Sequence, residues 1–194
     1  TIGIHPHDSA RKGKNDYEKF TEMAKSNKVV AFGEIGLDFY YDRSERSIQE
    51  KVFKEQLELA DSLKLPVVLH IRDAYQLAYD ILKEASKWLN NGVVLHCYSG
   101  SAEMAKRFAD FDAYFSFGGA ITFKNSNKEE VVNVINKDRL LLETDCPYMT
   151  PHPFRGKTNY PKYIKLVAQK MQEWFPNINI PALTTNNAKR VFRI

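Results

Sequence analysis

Short apolar runs alternate with segments of helical periodicity along most of this chain. The runs are rich in Val, Leu, Ile and Phe and are bounded by Gly, Pro or polar residues, which is typical of strands buried on both faces. They predict strands at Thr1–His5, Val29–Gly33, Val67–Ile71, Gly92–Cys97, Ala113–Phe117 and Arg139–Thr144. The segments between them predict helices at Asp16–Lys25, Ser47–Leu65, Tyr75–Leu89, Ala102–Phe111, Glu129–Ile135 and Tyr160–Trp174. This alternation indicates βα units around a parallel sheet.

The length and composition indicate one folded domain. A chain of 194 residues is long enough for one sizeable core, so we expect a single domain over residues 1–194. The apolar content of 43% and charged content of 27% are ordinary for a soluble protein. The net charge of +4 is compatible with a polyanionic partner such as nucleic acid, but many proteins without one carry as much.

The cysteines and the absence of long apolar segments predict a cytoplasmic protein. Cys97 and Cys146 are the only cysteines, and neither lies in a Cys-x-x-Cys pair, which favours a reducing compartment. No apolar run approaches the ~20 residues that span a bilayer. The N-terminus lacks the charged-then-apolar order of a signal peptide.

Side chains of the metal-ligand type stand at the ends of the predicted strands. Glu34 follows VVAFG, His70 and His96 each follow VVL, and Asp145 follows LLLET. Active sites of parallel α/β folds and TIM barrels form at the carboxyl ends of the strands, so these side chains converge if the sheet curls into a barrel. Imidazole and carboxylate ligands suit Zn, Mn or Mg. The pattern therefore predicts a divalent-metal site.

Each of these residues also has a simpler interpretation. Asp145 can cap a turn before Pro147, and Glu34 can pair with Arg43 or Arg46. A single histidine after a strand is usually a hydrogen-bonded loop residue.

Three further histidines lie in loops. His5 and His7, in GIHPH, either form a turn held by Pro6 or lie near the metal. His152 stands between two prolines and is expected at the surface. It belongs to the Pro- and Gly-rich stretch Cys146–Pro161, which predicts a long loop of the kind that often carries function.

Ordered motifs along nearly the whole chain resemble those of the TatD-type deoxyribonucleases. The motifs are TIGIHPHDS at 1–9, FGEIGLDFY at 32–40, PVVLHIRDA at 66–74, VVLHCYSG at 93–100, FSFGG at 115–119, LETDCPY at 142–148, HPFRGKTN at 152–159 and NAKRVF at 187–192. The resemblance implies a (β/α)8 TIM barrel of the metallo-dependent hydrolase type (the amidohydrolase superfamily). It also implies hydrolysis of phosphodiester bonds in DNA, often as an exonuclease that acts from strand ends.

The same resemblance implies roles for individual residues. Glu34 would be a metal-bridging carboxylate, and His70 and His96 would be ligands of one metal. Asp145 would be a ligand that also steers the attacking water and accepts its proton. His5 falls where the family places a histidine close to the reaction centre. The implied cofactor is one or two divalent ions of Mg, Mn or Zn.

The implied partner is DNA, with no membrane and no obligate protein partner. Four side chains would face the phosphate backbone: Arg72, Arg155, Lys157 and Asn159. Tyr40, Tyr41 and Phe154 either stack on unpaired bases or pack at the barrel rim, and rim packing is the favoured interpretation.

Two departures from the family pattern stand out. A TIM barrel typically needs about 250 residues, so we expect the first two strands, about 50 to 60 residues with a His-x-His pair, to be absent from this chain relative to the family. Tyr160 also stands where an acidic residue often follows the loop asparagine.

Two other functions fit the same residues. An amidohydrolase-type enzyme acting on a small ester, lactone or cyclic amide would use the same fold and ligands, because a fold does not fix a function. A chain without the first strands could instead be an inactive fragment or a scaffold that binds nucleic acid.

Overall fold

A computed structural model describes residues 1–194 and contains a parallel sheet whose strands follow chain order. The strands are β1 (Phe32–Asp38), β2 (Val67–Arg72), β3 (Val93–Leu95), β4 (Tyr114–Phe117) and β5 (Leu140–Leu142). Each strand pairs in parallel with the next one along the chain. The predicted α/β fold with a parallel sheet is confirmed.

Helices connect the strands and cover the sheet. They are α1 (Asp16–Met23), α2 (Arg46–Ser62), α3 (Tyr75–Glu84), α4 (Ala102–Phe108), α5 (Lys128–Val134), α6 (Ile164–Trp174) and α7 (Ile180–Phe192). Local capping explains some of the boundaries. Ser101 Oγ accepts the N–H of Met104 at the start of α4, and Asn179 Oδ1 accepts the N–H of Ala182 at the start of α7. None of the helices combines the length and apolar character needed to cross a membrane.

The two faces of the sheet bury different sets of side chains. One face packs against the helices in a core of 32 buried residues, to which every strand contributes a side chain: Phe32, Leu69, Leu95, Phe115 and Leu140. The other face carries a smaller cluster that includes Val68, Val94, Tyr114 and Leu141. Because side chains alternate along a strand, the polar residues two positions C-terminal to these apolar residues project from the same second face.

The N-terminal segment differs from the prediction. Thr1–His5 is not a strand: Ile2 forms only a single bridge with Phe32. The backbone groups of Ile4 are bound instead by the side chain of Gln56, whose Oε1 accepts the N–H of Ile4 at 2.7 Å and whose Nε2 donates to its carbonyl at 3.1 Å. A side-chain amide thus replaces a neighbouring strand.

The first strand is also displaced from its predicted position. Val29 lies in a turn, with its N–H bonded to the carbonyl of Ser26 at 3.0 Å, and β1 begins only at Phe32. The remaining predicted strands and helices are found, most of them shorter by one to several residues at their ends. The final helix α7 and a 3-10 helix at Pro6–Arg11 were not predicted.

Candidate active site

The smaller apolar cluster forms the floor beneath a group of polar side chains. Val68 and Val94 belong to this cluster, and the residues two positions further along the chain are His70, in β2, and His96, directly after β3. Leu141 is followed in the same way by Glu143. The alternation of side chains therefore delivers these groups to one face of the sheet, at its carboxyl edge.

Glu34 reaches this face through an irregularity in β1. The pairing of β1 with β2 shifts register between Gly33 and Ile35, which leaves Glu34 as the extra residue of a bulge. The strands approach closely on both sides of it. A Cβ on Gly33 would lie 2.6 Å from the carbonyl oxygen of Val68, and one on Gly36, where φ is +137°, would collide with the carbonyl oxygen of His70.

The positions of these residues in the strands correct the prediction. Glu34 and His70 lie within strands, not after them, because β1 and β2 extend further than their apolar runs. His96 directly follows β3, as predicted. Asp145 lies three residues beyond β5 and has a left-handed backbone conformation with φ of 51°. Non-glycine residues rarely adopt this conformation, and those that do are frequently found at functional sites.

Four predicted ligands form a row of close contacts with Glu34 near its centre. Glu34 Oε2 lies 3.7 Å from His70 Nδ1 and 3.7 Å from His96 Nε2. His96 Nε2 lies 3.6 Å from Asp145 Oδ1. Ligands about 2.1 Å from a tetrahedral ion are separated by about 3.4 Å, so the neighbouring donors in this row have the spacing and chemistry that a divalent cation requires.

His5 lies at one end of this row. Its Nε2 is 4.0 Å from Glu34 Oε2, and ligand atoms of His5, Glu34 and His70 all lie within 4.8 Å of one another. Burial, together with the nearby His70 and His7, lowers the pKa of His5 to about 4 against the opposing effect of Glu34 and Asp38. The neutral imidazole, which is the form that binds metals, therefore dominates at neutral pH.

Asp38 stands behind His70 and fixes its orientation. This carboxylate is fully buried, and its Oδ2 accepts hydrogen bonds from His70 Nε2 and His7 Nε2, each at 2.9 Å. Burial acts to raise the pKa of Asp38, but the Tyr41 N–H and the two histidines outweigh it and lower the pKa. With Nε2 held by Asp38, Nδ1 of His70 is directed to Glu34.

Glu143 has the same relation to His96. Its Oε2 lies 2.7 Å from His96 Nδ1, and its Oε1 accepts the N–H of Cys97. Burial acts to lower the pKa of His96, but Asp145 and Glu143 outweigh it and raise this pKa to about 11.

The His70 imidazole lowers the pKa of Glu34 against the effect of burial, with His96 and His5 contributing. The site is thus a network of carboxylates and imidazoles.

The simpler interpretations of two ligands do not apply. Arg46 pairs with Asp42 at 2.6 Å, and the Arg43 guanidinium lies over the ring of Tyr41, so neither arginine pairs with Glu34. The carboxylate of Asp145 contacts His96, and only its backbone carbonyl makes a turn bond, to the N–H of Tyr148.

The predicted phosphate-binding residues have different surroundings. Arg72 lies at the end of β2 beside the site. Arg155 and Lys157 lie on the exposed loop, where the Arg155 guanidinium is 3.8 Å from the ring centroid of Phe123. Asn159 corrects the prediction, because it is only 2% exposed and its Nδ2 donates to the carbonyls of Thr144 and Tyr148. It braces the loop after Asp145 and does not face a phosphate.

The aromatic residues divide between the two interpretations. Phe154 stacks on Tyr163 with ring centroids 4.8 Å apart, as expected for packing. Tyr40 and Tyr41 contact each other, but they are 58% and 50% exposed, so part of each ring is open to solvent. His152 is exposed, as predicted.

The sequence reasoning missed three groups that hold the site together. The sequence pattern gives His7 two interpretations, and it does not identify Asp38 and Glu143 as partners of the histidines. A usable signal was present: Glu143 stands two residues before Asp145 in LETDCPY, and Asp38 stands two residues after Gly36 in the strand that carries Glu34. Extending the side-chain alternation past the apolar runs would have placed both on the face of the ligands.

Comparison with known proteins gives consistent matches over the chain. The family model described as TatD related DNase matches residues 1–193. A protein named as the uncharacterized metal-dependent hydrolase YabD, from Bacillus subtilis, is 46% identical over 196 residues, covering 100% of this chain and 76% of the relative. A protein named as the uncharacterized metal-dependent hydrolase YcfH, from Escherichia coli K12, is 35% identical over 197 residues, covering 100% of this chain and 73% of the relative.

A solved structure shares the fold in detail. The crystal structure of YjjV, a TatD homologue from Escherichia coli K12, superposes with a TM-score of 0.92 at 31% identity. The match covers 100% of this chain and 76% of that one. The observed sheet and helices therefore have the arrangement of a TatD-type barrel structure.

Proposed function

This chain is a metal-dependent hydrolase that belongs to the TatD-related DNase family, and we propose that it cleaves phosphodiester bonds in DNA, acting from strand ends. The observation that carries the proposal is the row of contacts from His70 through Glu34 and His96 to Asp145, with a carboxylate behind each histidine. We further propose that residues 1–194 form one hydrolase domain, since every strand contributes to the same core.

The proposed metal ligands are Glu34, His70, His96 and Asp145, with His5 as a neighbour of the first two. Carboxylate and imidazole donors are compatible with one or two ions of Mg, Mn or Zn. When bound, such an ion activates water and neutralises charge that develops on a phosphoryl oxygen.

Asp145 is suited to hold and accept the proton of the attacking water. Its side chain is 30% exposed, so solvent reaches it, and the contact with His96 Nε2 at 3.6 Å orients its Oδ1. A carboxylate within hydrogen-bond reach of the water can act as general base.

Arg72 is proposed to bind the phosphate backbone, together with Arg155 and Lys157. The guanidinium of Arg72 makes no ion pair within the protein, so its forked donors are free for a phosphate. Such contacts are independent of base sequence, so DNA affinity should weaken as salt concentration rises.

The test removes one ligand at a time and measures metal-stimulated degradation of single-stranded DNA. Glu34→Ala and His96→Ala should each abolish degradation while leaving the circular dichroism spectrum unchanged. Glu84→Ala, a surface carboxylate paired with Lys54, should behave as the parent and serves as the matched control. Degradation by either site variant at the parental rate would refute the site assignment.

A substrate panel separates DNA from small-molecule substrates. Oligonucleotides, p-nitrophenyl esters and dihydropyrimidines are compared with the same metal-loaded protein. We expect turnover of the oligonucleotides. Turnover of the small esters or cyclic amides alone would replace the nuclease proposal with the amidohydrolase alternative.

A further inference from the structure

Two exposed tyrosines lie beside the candidate active site at the end of β1. Tyr40 and Tyr41 are 58% and 50% exposed, and their rings meet edge to face with centroids 4.9 Å apart. The Tyr41 ring also lies 5.4 Å from the ring of His7. Two adjacent exposed rings beside the site offer flat faces on which a ligand can stack.

Arg72 joins these two rings into one surface. Its guanidinium carbon lies 3.9 Å from the ring centroid of Tyr40 and 4.8 Å from that of Tyr41. Arg72 stands two residues after His70 on β2, so both side chains project from the same face of the strand. In contrast, Arg46, which also stacks on an aromatic ring, is neutralised by Asp42.

One carboxylate connects this surface to the proposed metal ligands. Asp38 Oδ1 accepts the N–H of Tyr40 at 3.1 Å and the N–H of Tyr41 at 2.9 Å. The other oxygen of Asp38 binds His70 and His7. The tyrosine turn is therefore held at a fixed position relative to His70.

We propose that Tyr40, Tyr41 and Arg72 form a stacking platform for an unpaired nucleobase next to the phosphodiester that is cleaved. The proposal rests on the proposed function and names the substrate class more closely. Tyrosine rings and guanidinium planes stack on the faces of bases, and every base offers such a face whatever its sequence. Bases within a duplex already stack on each other, so the platform selects single strands and frayed ends.

The first experiment measures stacking directly, without hydrolysis. Single-stranded oligonucleotides carrying 2-aminopurine at one end are mixed with the protein in EDTA, and fluorescence reports stacking of that base. We expect quenching with the parent and with Tyr40→Phe/Tyr41→Phe, which keeps both rings. Tyr40→Leu/Tyr41→Leu should lose the quenching and bind at least about fivefold more weakly.

Controls separate stacking from loss of structure. Trp88 also carries a lysine over its ring, but it lies on another surface beside α2, so Trp88→Leu should quench as the parent does. Circular dichroism and the thermal midpoint check that the leucine variant is folded. Equal quenching by the folded leucine variant, or no quenching by the parent with either end labelled, would overturn the platform.

The second experiment measures turnover and keeps the two proposals distinct. With metal present, the ratio of kcat/KM for a single-stranded oligonucleotide to kcat/KM for bis(p-nitrophenyl) phosphate should fall at least about fivefold in the leucine variant. An unchanged ratio in an active enzyme would refute the platform alone. A parent that quenches 2-aminopurine but hydrolyses no DNA would refute the nuclease proposal and support the platform as a nucleic-acid contact.

Discussion

Replacing Glu143 by glutamine should weaken metal binding without unfolding the protein. Glu143 uses both carboxylate oxygens: Oε2 binds His96 Nδ1 at 2.7 Å, and Oε1 accepts the N–H of Cys97. Glutamine has the same shape but only one acceptor oxygen. With that oxygen bonded to Cys97, the amide NH₂ faces His96 Nδ1, which then becomes an acceptor. When the doubly protonated His96 loses one proton on metal binding, the proton that remains in the variant therefore prefers Nε2, the atom that faces Glu34 and Asp145.

The size of the effect follows from this change of tautomer. A metal needs Nε2 free and the remaining proton on Nδ1. The parent offers the Glu143 carboxylate as an acceptor for that proton, whereas the variant offers only an amide NH₂, so binding in the variant requires the less stable tautomer. Loss of a carboxylate behind a histidine ligand typically weakens metal affinity 10- to 100-fold, which corresponds to about 1.4 to 2.8 kcal/mol. Because Glu143 also helps to raise the pKa of His96, we expect that pKa to fall in the same variant.

Titration of the metal-free protein with Mn²⁺ or Zn²⁺ by calorimetry, with chelator competition for tight binding, measures the change. Glu84→Gln, at an exposed ion pair with Lys54, is the matched control and should bind as the parent does. Circular dichroism and the thermal midpoint of both variants should remain close to the parental values. A dissociation constant for Glu143→Gln within twofold of the parental one would refute the tautomer argument.

Four further outcomes are expected. Because the pKa of Asp38 is lowered in the folded protein, its stabilising effect is present above about pH 4 and is lost as the pH falls through the folded pKa. In urea titrations, Asp38→Asn should lower the free energy of unfolding by about 1–3 kcal/mol at pH 7 and by less at pH 3. Since the pKa of His96 is raised to about 11, the stabilising effect of the protonated imidazole is fully present below about pH 6.5 and is lost towards pH 11. For the same reason, Zn²⁺ binding at pH 7 should release about one proton, which calorimetry in buffers of different ionisation enthalpy measures. Asn159→Ala should speed hydrogen exchange in loop 146–161, since two carbonyls lose their donor; unchanged exchange would contradict its bracing role. Phe53→Ala, at a fully buried position in α2, should lower the free energy of unfolding by about 3–5 kcal/mol, and a loss below 1 kcal/mol in urea titration would contradict the described core.

The sequence predicted the sheet well where strands are apolar on both faces. Val67–Ile71 is buried at almost every position, and the observed strand differs from it by a single residue. The prediction failed at β1, because Gly36 and Asp38 are strand residues that an apolar run does not contain. It also failed at Thr1–His5, where a glutamine far along the chain binds the backbone of Ile4. A contact over that sequence distance leaves no local pattern.

The proposed ligands could be selected from the sequence because each follows the apolar part of a predicted strand. The residues behind them were not, since Asp38 and Glu143 look like ordinary acidic residues until the histidines they face are known. Asn159 shows the opposite error. The family resemblance implies a substrate contact for this residue, yet its burial and its two carbonyl partners give it a structural role.

The glycines on either side of Glu34 make the ligand spacing insensitive to changes elsewhere in the protein. At Gly33 and Gly36 the two strands meet backbone to backbone, so no side chain acts as a spacer between them. Substitutions among the apolar residues beneath the sheet can therefore accumulate while the reach from Glu34 to His70 stays the same. The main chain at Gly33 and Gly36 sets the separation between the positions of Glu34 and His70, so substitutions are expected to be tolerated least at these two glycines.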